Sequence, residues 1–314
     1  MTPHLTGATW LRILLTAAIL VYLGSRIDLG EAGRALVRLD LGAAGLVLIL
    51  LAIDRALMVW RWILLLRASR TAVSVRSAIR IYLVSSFAGS FLPAGVGADA
   101  LRAYSLGRQT AATSEALASV AVDRVLGMLS IVLLGVAGVA VWTRRVDPGL
   151  WQPTMVLAVL TAGLTGGLFW SDRLLRAVLP GTWRDSRHAG RLLHLADALA
   201  RYRGRHGALG SVMSLSIGVQ VLRVLEAYVL GRGIDITVGF SYYLVFMPVG
   251  LLMLLLPISI SGFGLPQGMI VWMLRPQGVP DPQSFALSTL IVLSGLAGNL
   301  PGAWLYLRAR KDVQ

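Results

Sequence analysis

The stretch Pro93–Asp99, with the sequence PAGVGAD, interrupts an apolar segment that extends from Ile81 to Leu92. A second stretch, Pro257–Gly264 (PISISGFG), interrupts another apolar segment in the other half of the chain. Proline lacks the N–H donor that a helix needs, and clustered glycines admit non-helical dihedrals. In lipid, broken backbone is tolerated only where protein or a water-filled cavity covers it. Paired breaks in two halves are typical of a transporter binding site.

The composition of the chain is that of a polytopic membrane protein. Of the 314 residues, 56% are hydrophobic and only 14% are charged, whereas about 25% of a soluble domain is charged. A span needs about 20 apolar residues, and we predict an all-α fold with about six full spans. The predicted spans are 9–24, 43–66, 112–142, 150–170, 208–231 and 284–307.

The strong positive charge is interpreted as a feature of membrane topology and not of nucleic-acid binding. The formal net charge is +14, and Lys311 is the one lysine among 29 basic residues. Cytoplasmic loops of membrane proteins accumulate arginine and lysine. The chain has no cysteine, and its four histidines lie outside the apolar segments. We therefore predict no metal site, no cofactor and no nucleic-acid partner.

The distribution of arginines predicts the topology. The connection 67–80, the loop 171–207 and the C-terminal tail are arginine-rich, so we expect them and the N-terminus to be cytoplasmic. These assignments are consistent with one another only if each broken segment enters and leaves on one side of the membrane. The two broken segments are 78–107 and 241–276. The first would be a re-entrant hairpin from the cytoplasm, and the second a re-entrant hairpin from the outside.

The same assignments predict an inverted-topology repeat. Residues 1–142 and 150–310 would be its halves, within one integral membrane domain, 1–314, of the bacterial inner membrane. The loop 171–207 contains an amphipathic segment, Ala189–Tyr202, with apolar leucines between arginines. It is interpreted either as a helix on anionic headgroups or as a solvated linker helix.

Charged side chains inside the spans form the first set of candidate site residues, because such charges usually face a partner or a cavity. Arg223 and Glu226 are three positions apart, so they share a helical face and can pair. Asp123 and Arg124 point about 100° apart and need different partners. An alternative for all four residues is an interior ion-pair network that only fixes the register of the helices.

Three further charges, Asp54, Arg55 and Arg61, lie in the second predicted span. Arg55 and Arg61 are close to the arginine-rich connection. We expect these two long side chains to extend to the lipid headgroups.

The first break supplies a candidate anion site. Pro93, Gly95 and Gly97 precede a predicted helix, whose free backbone amides and glycines form a concavity suited to an anion. Arg102 lies in the second turn and could add a charge-assisted hydrogen bond to a phosphate. Asp99 is expected to cap the helix or to orient Arg102.

The second break supplies uncharged hydrogen-bonding groups. They are Ser259, Ser261, Gly262, Gly264 and Gln267. For both breaks, the alternative is a kink that is needed only for packing.

Three motifs carry a resemblance to a known family. The segment 93–104 resembles the family pattern Pro-x-x-x-Gly-(Gly/Ala)-Asp-x-x-Arg-x-aromatic. The segment 119–127 is similar to its Asp-Arg helix, and 256–264 to its second glycine element. The family is the lysylphosphatidylglycerol synthase transmembrane region, also described as a flippase-like membrane domain. The resemblance covers nearly the whole chain and implies a membrane domain that handles or translocates lipids.

The chain departs from the family pattern in two respects. The family usually carries a glutamate where Gln267 stands, so a charge expected in the second hairpin is missing. The soluble aminoacyl-transferring domain of full-length synthases is absent, so we do not expect this chain to aminoacylate lipids.

The leading functional hypothesis is a flippase-like transporter of a phospholipid or lipid-linked anionic substrate. Arg102, Arg124 and Arg223 would neutralise the head group in a central cavity. Asp123 and Glu226 are the candidates for proton coupling, since no ATP-binding fingerprint occurs. No catalytic residue is predicted.

Two alternatives remain open. A membrane transferase acting on polyprenyl phosphate or phospholipid could use Asp28 and Glu31 in the first outer loop, although no Asp-x-Asp motif occurs. A non-transporting partner of a lipid-modifying enzyme is the other alternative. Homo-oligomerisation is compatible with each hypothesis.

Overall fold

The computed structural model describes residues 29–92, 97–142, 151–178, 187–255 and 264–311. All regular secondary structure in these residues is helical, which confirms the predicted all-α fold. The predicted span 9–24 and the central residues of both breaks lie outside the described ranges.

The helices follow the predicted segments closely. Those of the first half are α1 (Leu29–Val37), α2 (Leu41–Ala68), α3 (Val75–Gly89), α4 (Gly97–Thr110) and α5 (Thr113–Trp142). Those of the second half are α6 (Trp151–Phe169), α7 (Ser171–Val178), α8 (Arg187–Ala200), α9 (His206–Arg232), α10 (Phe240–Leu255), α11 (Leu265–Leu274), α12 (Asp281–Ala297) and α13 (Leu300–Lys311).

Four helical segments of the described residues are long and apolar enough to cross a membrane. They are α2, α5, α9 and the combined stretch of α12 and α13. The protein is therefore a multi-pass membrane protein. The last of these segments covers the expected span 284–307, and a turn at Gly298–Asn299 divides it into two helices.

The first broken segment forms a helical hairpin. At its tip, α3 and α4 approach so closely that a Cβ atom on Gly89 would lie 2.4 Å from the Cα atom of Ala98. At its open end, Gln109 Nε2 donates to Ser77 Oγ at 2.9 Å. The two helices are therefore antiparallel, and both outer ends of the hairpin lie at the same end of the bundle.

The second broken segment also folds back on itself. Tyr242 Oη, near the start of α10, donates to the carbonyl oxygen of Met273, near the end of α11, at 2.5 Å. Gly250 and Ile270 come into contact further along the two helices. Both broken segments are thus hairpins, as the loop charges required.

The two hairpins open at opposite ends of the bundle. The first opens at the arginine-rich end, defined by Arg67, Arg70, Arg76 and Arg80, where α2 ends and α5 begins. The second opens where α9 ends and α2 begins, and these two helices meet there because Asp40 N donates to Gly233 O at 3.0 Å. This arrangement agrees with inverted halves; the side of the membrane on which each end lies stays a prediction.

The amphipathic segment of the long loop packs against the bundle. Helix α8 contacts α5, and Leu199 and Tyr202 are buried in a cluster with Ala118 and Val122. Tyr202 Oη donates to Leu65 O at 3.3 Å. Part of the apolar face of 189–202 is therefore covered by protein, whereas Leu192 is 50% exposed. That this helix lies on anionic headgroups stays a prediction.

A close contact between α5 and α10 predicts a stability difference between two glycines. A Cβ atom on Gly138 would lie 2.2 Å from the carbonyl oxygen of Leu244, so Gly138→Ala must push two helices apart. We expect a loss of about 1–3 kcal/mol, as for an overpacked core. The apparent melting temperature in detergent should fall. Gly163→Ala, on α6 with open space around it, is the control and should be neutral or slightly stabilising. Equal effects of the two substitutions would contradict this packing.

The packing of α8 against the bundle should become weaker at high pH, because the buried Tyr202 ionises there. Burial raises the pKa of Tyr202 to about 12, whereas the unfolded chain has a tyrosine pKa of about 10. The stabilisation by neutral Tyr202 is therefore complete below pH 10 and is lost as the pH rises towards 12. Tyr202→Phe should flatten this part of the stability–pH profile, measured by thermal denaturation. Tyr104→Phe, at an exposed position, should leave the profile unchanged.

Candidate functional site

Asp123 is the centre of a buried ion-pair cluster. Its Oδ1 accepts from Arg61 Nε at 2.8 Å, and its Oδ2 lies 2.9 Å from Arg102 Nη1. All three side chains are at most 5% exposed. Because the three residues come from α5, α2 and α4, this carboxylate connects the first hairpin to two long helices.

The position of Arg61 corrects the expectation that it extends to the headgroups. Arg61 is buried, and its Nη1 donates to Ser216 Oγ of α9 at 3.2 Å in addition to the Asp123 bond. A Cβ atom on Gly127 would lie 3.5 Å from Arg61 Nη1. The glycine one turn after Asp123 therefore lies beside the guanidinium group, at a distance where a Cβ atom would make an ordinary van der Waals contact.

Arg102 contacts two carboxylates and two aromatic rings, whereas its buried Nε has no hydrogen-bond partner among the described residues. Its Nη2 donates to Asp99 Oδ1 at 2.9 Å, which confirms the expectation that Asp99 orients Arg102. Its guanidinium carbon lies 5.2 Å from the Trp62 ring centroid and 5.0 Å from that of Tyr82, within the range of cation–π interactions. Both terminal nitrogens are engaged in ion pairs. Arg102 is thus built into the core of the site.

Arg124 is more accessible than Arg102. Its Nη1 lies 3.2 Å from Asp99 Oδ2, and its side chain is 32% exposed. Asp123 and Arg124 have different partners, as their angular separation required. Asp99 therefore connects the buried ion-pair cluster to an exposed guanidinium.

The expected ion pair between Arg223 and Glu226 is not observed. Arg223 Nε instead donates to Asp54 Oδ1 of α2 at 3.1 Å. Oε1 of Glu226 is buried and has no hydrogen-bond partner among the described residues. The register of α9 against α2 decides this, because it places a second carboxylate closer to Arg223. Asp54 Oδ2 lies 3.7 Å from Arg55 Nε, beyond hydrogen-bonding distance.

A cavity of about 340 Å³ lies at the tip of the first hairpin. Its charged lining consists of Arg55, Arg102 and Arg124 against one carboxylate, Asp99. Among the described residues, the rest of the lining combines apolar side chains, such as Met58 and Ile291, with polar ones. The polar ones are Tyr82, Ser85, Ser86, Ser90 and Asn299. The described lining therefore has an excess of positive charge, which favours an anionic group.

One wall of the cavity was not predicted from the sequence. Asn299, in the break between α12 and α13, donates from Nδ2 to Ser90 Oγ at 2.8 Å and lines the cavity. Gly298 and Pro301 beside it are the signals that could have indicated this break. They lie in a segment that is otherwise apolar enough to be a continuous span.

Gln267 has a local role in the second hairpin. It is fully buried, and its Oε1 accepts from the backbone amide of Gly264 at 2.6 Å, which caps the start of α11. Gly264 has a positive φ of 104°. A glutamate could make the same cap, so the substitution of the family residue keeps this contact.

The structure describes only some of the other predicted site residues. Gly97 begins α4 and packs against Leu92. Pro93, Gly95, Ser259, Ser261 and Gly262 lie outside the described residues. Among the residues that are described, no group of three histidine or acidic side chains could hold a metal ion.

The family of the chain can now be stated. A family model of the lysylphosphatidylglycerol synthase TM region matches residues 9–301. The chain belongs to this family. No curated protein matches it. Like the resemblance based on the three motifs, this match covers nearly the whole chain. Membership in the family indicates a membrane protein that is involved in lipid handling.

Asp123→Asn should strongly reduce the stability of this member of the lysylphosphatidylglycerol synthase TM family, because it disrupts the buried ion-pair cluster. The substitution leaves Arg61 and Arg102 buried with a neutral partner, and breaking a buried pair costs about 3–5 kcal/mol. The apparent melting temperature in detergent should fall strongly.

Asp99→Asn is the matched control, since it removes the same charge from a partly exposed side chain. Its effect should be clearly smaller. A similar loss for both variants would show that Asp123 is not the residue on which the cluster depends.

Proposed function

We propose that this protein is a flippase-like transporter that moves an anionic lipid or lipid-linked substrate across the bacterial inner membrane. The observation that carries the proposal is the cavity at the hairpin tip, whose lining has three arginines and one aspartate. Membership in a lipid-handling family supports it. A cavity of this charge would bind the head group while the tails stay in lipid.

The exposure of the arginines assigns different roles to them. Arg124 and Arg55, whose side chains are 32% and 19% exposed, are the candidates to contact the head group. Arg102 has both terminal nitrogens on carboxylates, so its role is to hold Asp99 and the hairpin in place. Phosphate accepts charge-assisted hydrogen bonds from guanidinium groups, which gives the proposed site its chemistry.

The two hairpins suggest how the head group would move. They open at opposite ends of the bundle, and in inverted-repeat transporters one repeat rocks against the other around a central site. The ion pair between Arg124 and Asp99 connects α5 to the tip of the first hairpin. A phosphate that competes for Arg124 would weaken this connection, while the pair between Asp123 and Arg102 continues to hold the hairpin.

Glu226 is the candidate for proton coupling. Glu226 is 7% exposed, and its Oε1 has no hydrogen-bond partner among the described residues. A carboxylate without a bound cation can take up a proton more readily than Asp123, which accepts from two arginines. Proton uptake would remove a negative charge near the Arg223–Asp54 pair.

A transport measurement tests the proposal. The protein is reconstituted into liposomes with a fluorescent, head-group-labelled phosphatidylglycerol, and a membrane-impermeant reductant reports its exposure on the outer leaflet. We expect the wild type to accelerate the exchange and Arg124→Gln to reduce it about tenfold, because a charge-assisted hydrogen bond is lost.

Arg108→Gln is the matched control. Arg108 lies on α4, is exposed and does not line the cavity. It should leave the exchange unchanged. Wild-type exchange equal to that of protein-free liposomes, with phosphatidylglycerol and with polyprenyl phosphate, would refute the proposed transport.

A further inference from the structure

An apolar groove runs along the outside of the same helices that form the cavity. It has a volume of about 670 Å³ and lies between α2, α3 and the break that separates α12 from α13. Leu48, Ala52, Val59, Ile79 and Leu83 are among its lining residues. We refer to it as the outer groove. Arg55 is its one charged lining residue.

Arg55 is shared by the outer groove and the cavity. Its Nε is buried and has no hydrogen-bond partner among the described residues. Asp54 Oδ2 lies 3.7 Å from this nitrogen and likewise has no hydrogen-bond partner there. A buried donor without a partner is costly, so Arg55 is a group that an additional acceptor would stabilise.

Gly298 lies at the junction between the outer groove and the cavity, where there is little space for a side chain. A Cβ atom at this position would lie 2.9 Å from Arg55 Nε and 3.4 Å from Leu51 Cδ2. The φ of Gly298 is −61°, so any residue could adopt this backbone conformation. The absence of a side chain is therefore required by the space around Arg55 and not by the backbone.

We propose that the outer groove binds an acyl chain of the transported amphiphile, with the partly exposed guanidinium side chain of Arg55 donating to the polar linkage between that chain and the anionic head in the cavity. This inference rests on the proposed function and adds the tail site to it. It makes Arg55 the residue that recognises a head and a tail belonging to one molecule.

The chemistry of the groove favours an acyl chain over an extended peptide. The groove lies along α2 and α12, which are membrane-crossing helices, so its occupant must have no unsatisfied polar backbone. An acyl chain has none, whereas an extended peptide would need hydrogen-bond partners along its length. The single cation at the inner end fits a molecule that is polar at one end only.

The absence of cysteine from the chain allows a direct test of this site. Ala52→Cys places a fluorescent label in the outer groove, and Ala162→Cys places one on an equally exposed alanine of α6 as the control. The labelled proteins are reconstituted in phosphatidylcholine with a minor fraction of either phosphatidylglycerol or phosphatidylcholine that carries bromine on its acyl chains. Bromine quenches the label on contact.

We expect brominated phosphatidylglycerol to quench the label at position 52 more strongly than brominated phosphatidylcholine does. At position 162 the two lipids should quench equally, because bulk lipid has no preference there. Arg55→Gln should weaken the preference at position 52 about tenfold, as a charge-assisted hydrogen bond is lost. Gly298→Leu should remove it while all charges remain, which keeps the test valid if Arg55→Gln fails to fold.

The results separate this inference from the proposed transport. Equal quenching by the two lipids at position 52, or a preference that survives both Arg55→Gln and Gly298→Leu, would overturn the acyl-chain site. A preference at position 52 without accelerated lipid exchange would refute transport and retain the binding site. Exchange without the preference would retain transport and place the tail elsewhere.

Discussion

The double ion pair of Asp123 is the interaction on which the rest of the site depends. A carboxylate and two guanidinium groups that are almost fully buried must stay together, because an unpaired charge in this environment is strongly destabilising. The three residues belong to α5, α2 and α4. Their pairing therefore fixes the short hairpin helix α4 against two long helices and determines where the hairpin tip lies.

The fixed hairpin tip separates structural charge from accessible charge. Arg61 and Arg102 are paired with Asp123, and Arg102 is also paired with Asp99. Arg124 shares Asp99 but remains one-third exposed at the cavity. The excess cation thus lies where a ligand can reach it, and the buried cluster supplies the rigid wall behind it. This division explains how so many arginines can be accommodated within the spans.

The cavity has a second boundary that is equally specific. The break between α12 and α13 brings Asn299 to Ser90 at the hairpin tip and places Gly298 against Arg55. On its outer side, the same break forms part of the apolar groove. Because Arg55 lines both spaces, a cavity with charged and polar lining and an apolar groove share one guanidinium group. An amphiphile is the class of ligand that matches this combination.

Hydropathy, proline and glycine positions, and arginine counts were sufficient to predict the all-α membrane fold, both broken segments and the pairing of Asp99 with Arg102. These properties are local: a span must be apolar, a break needs proline or glycine, and residues three apart share a helical face. The partners of Asp123, Arg61 and Arg223 could not be predicted, because they depend on the register between helices distant in sequence. The same holds for Asn299. The sequence by itself determined which charges lie within the spans; only the tertiary structure decided which of them are buried, as Arg61 is, and which opposite charge each one meets, since in lipid-embedded helices that choice is made by packing.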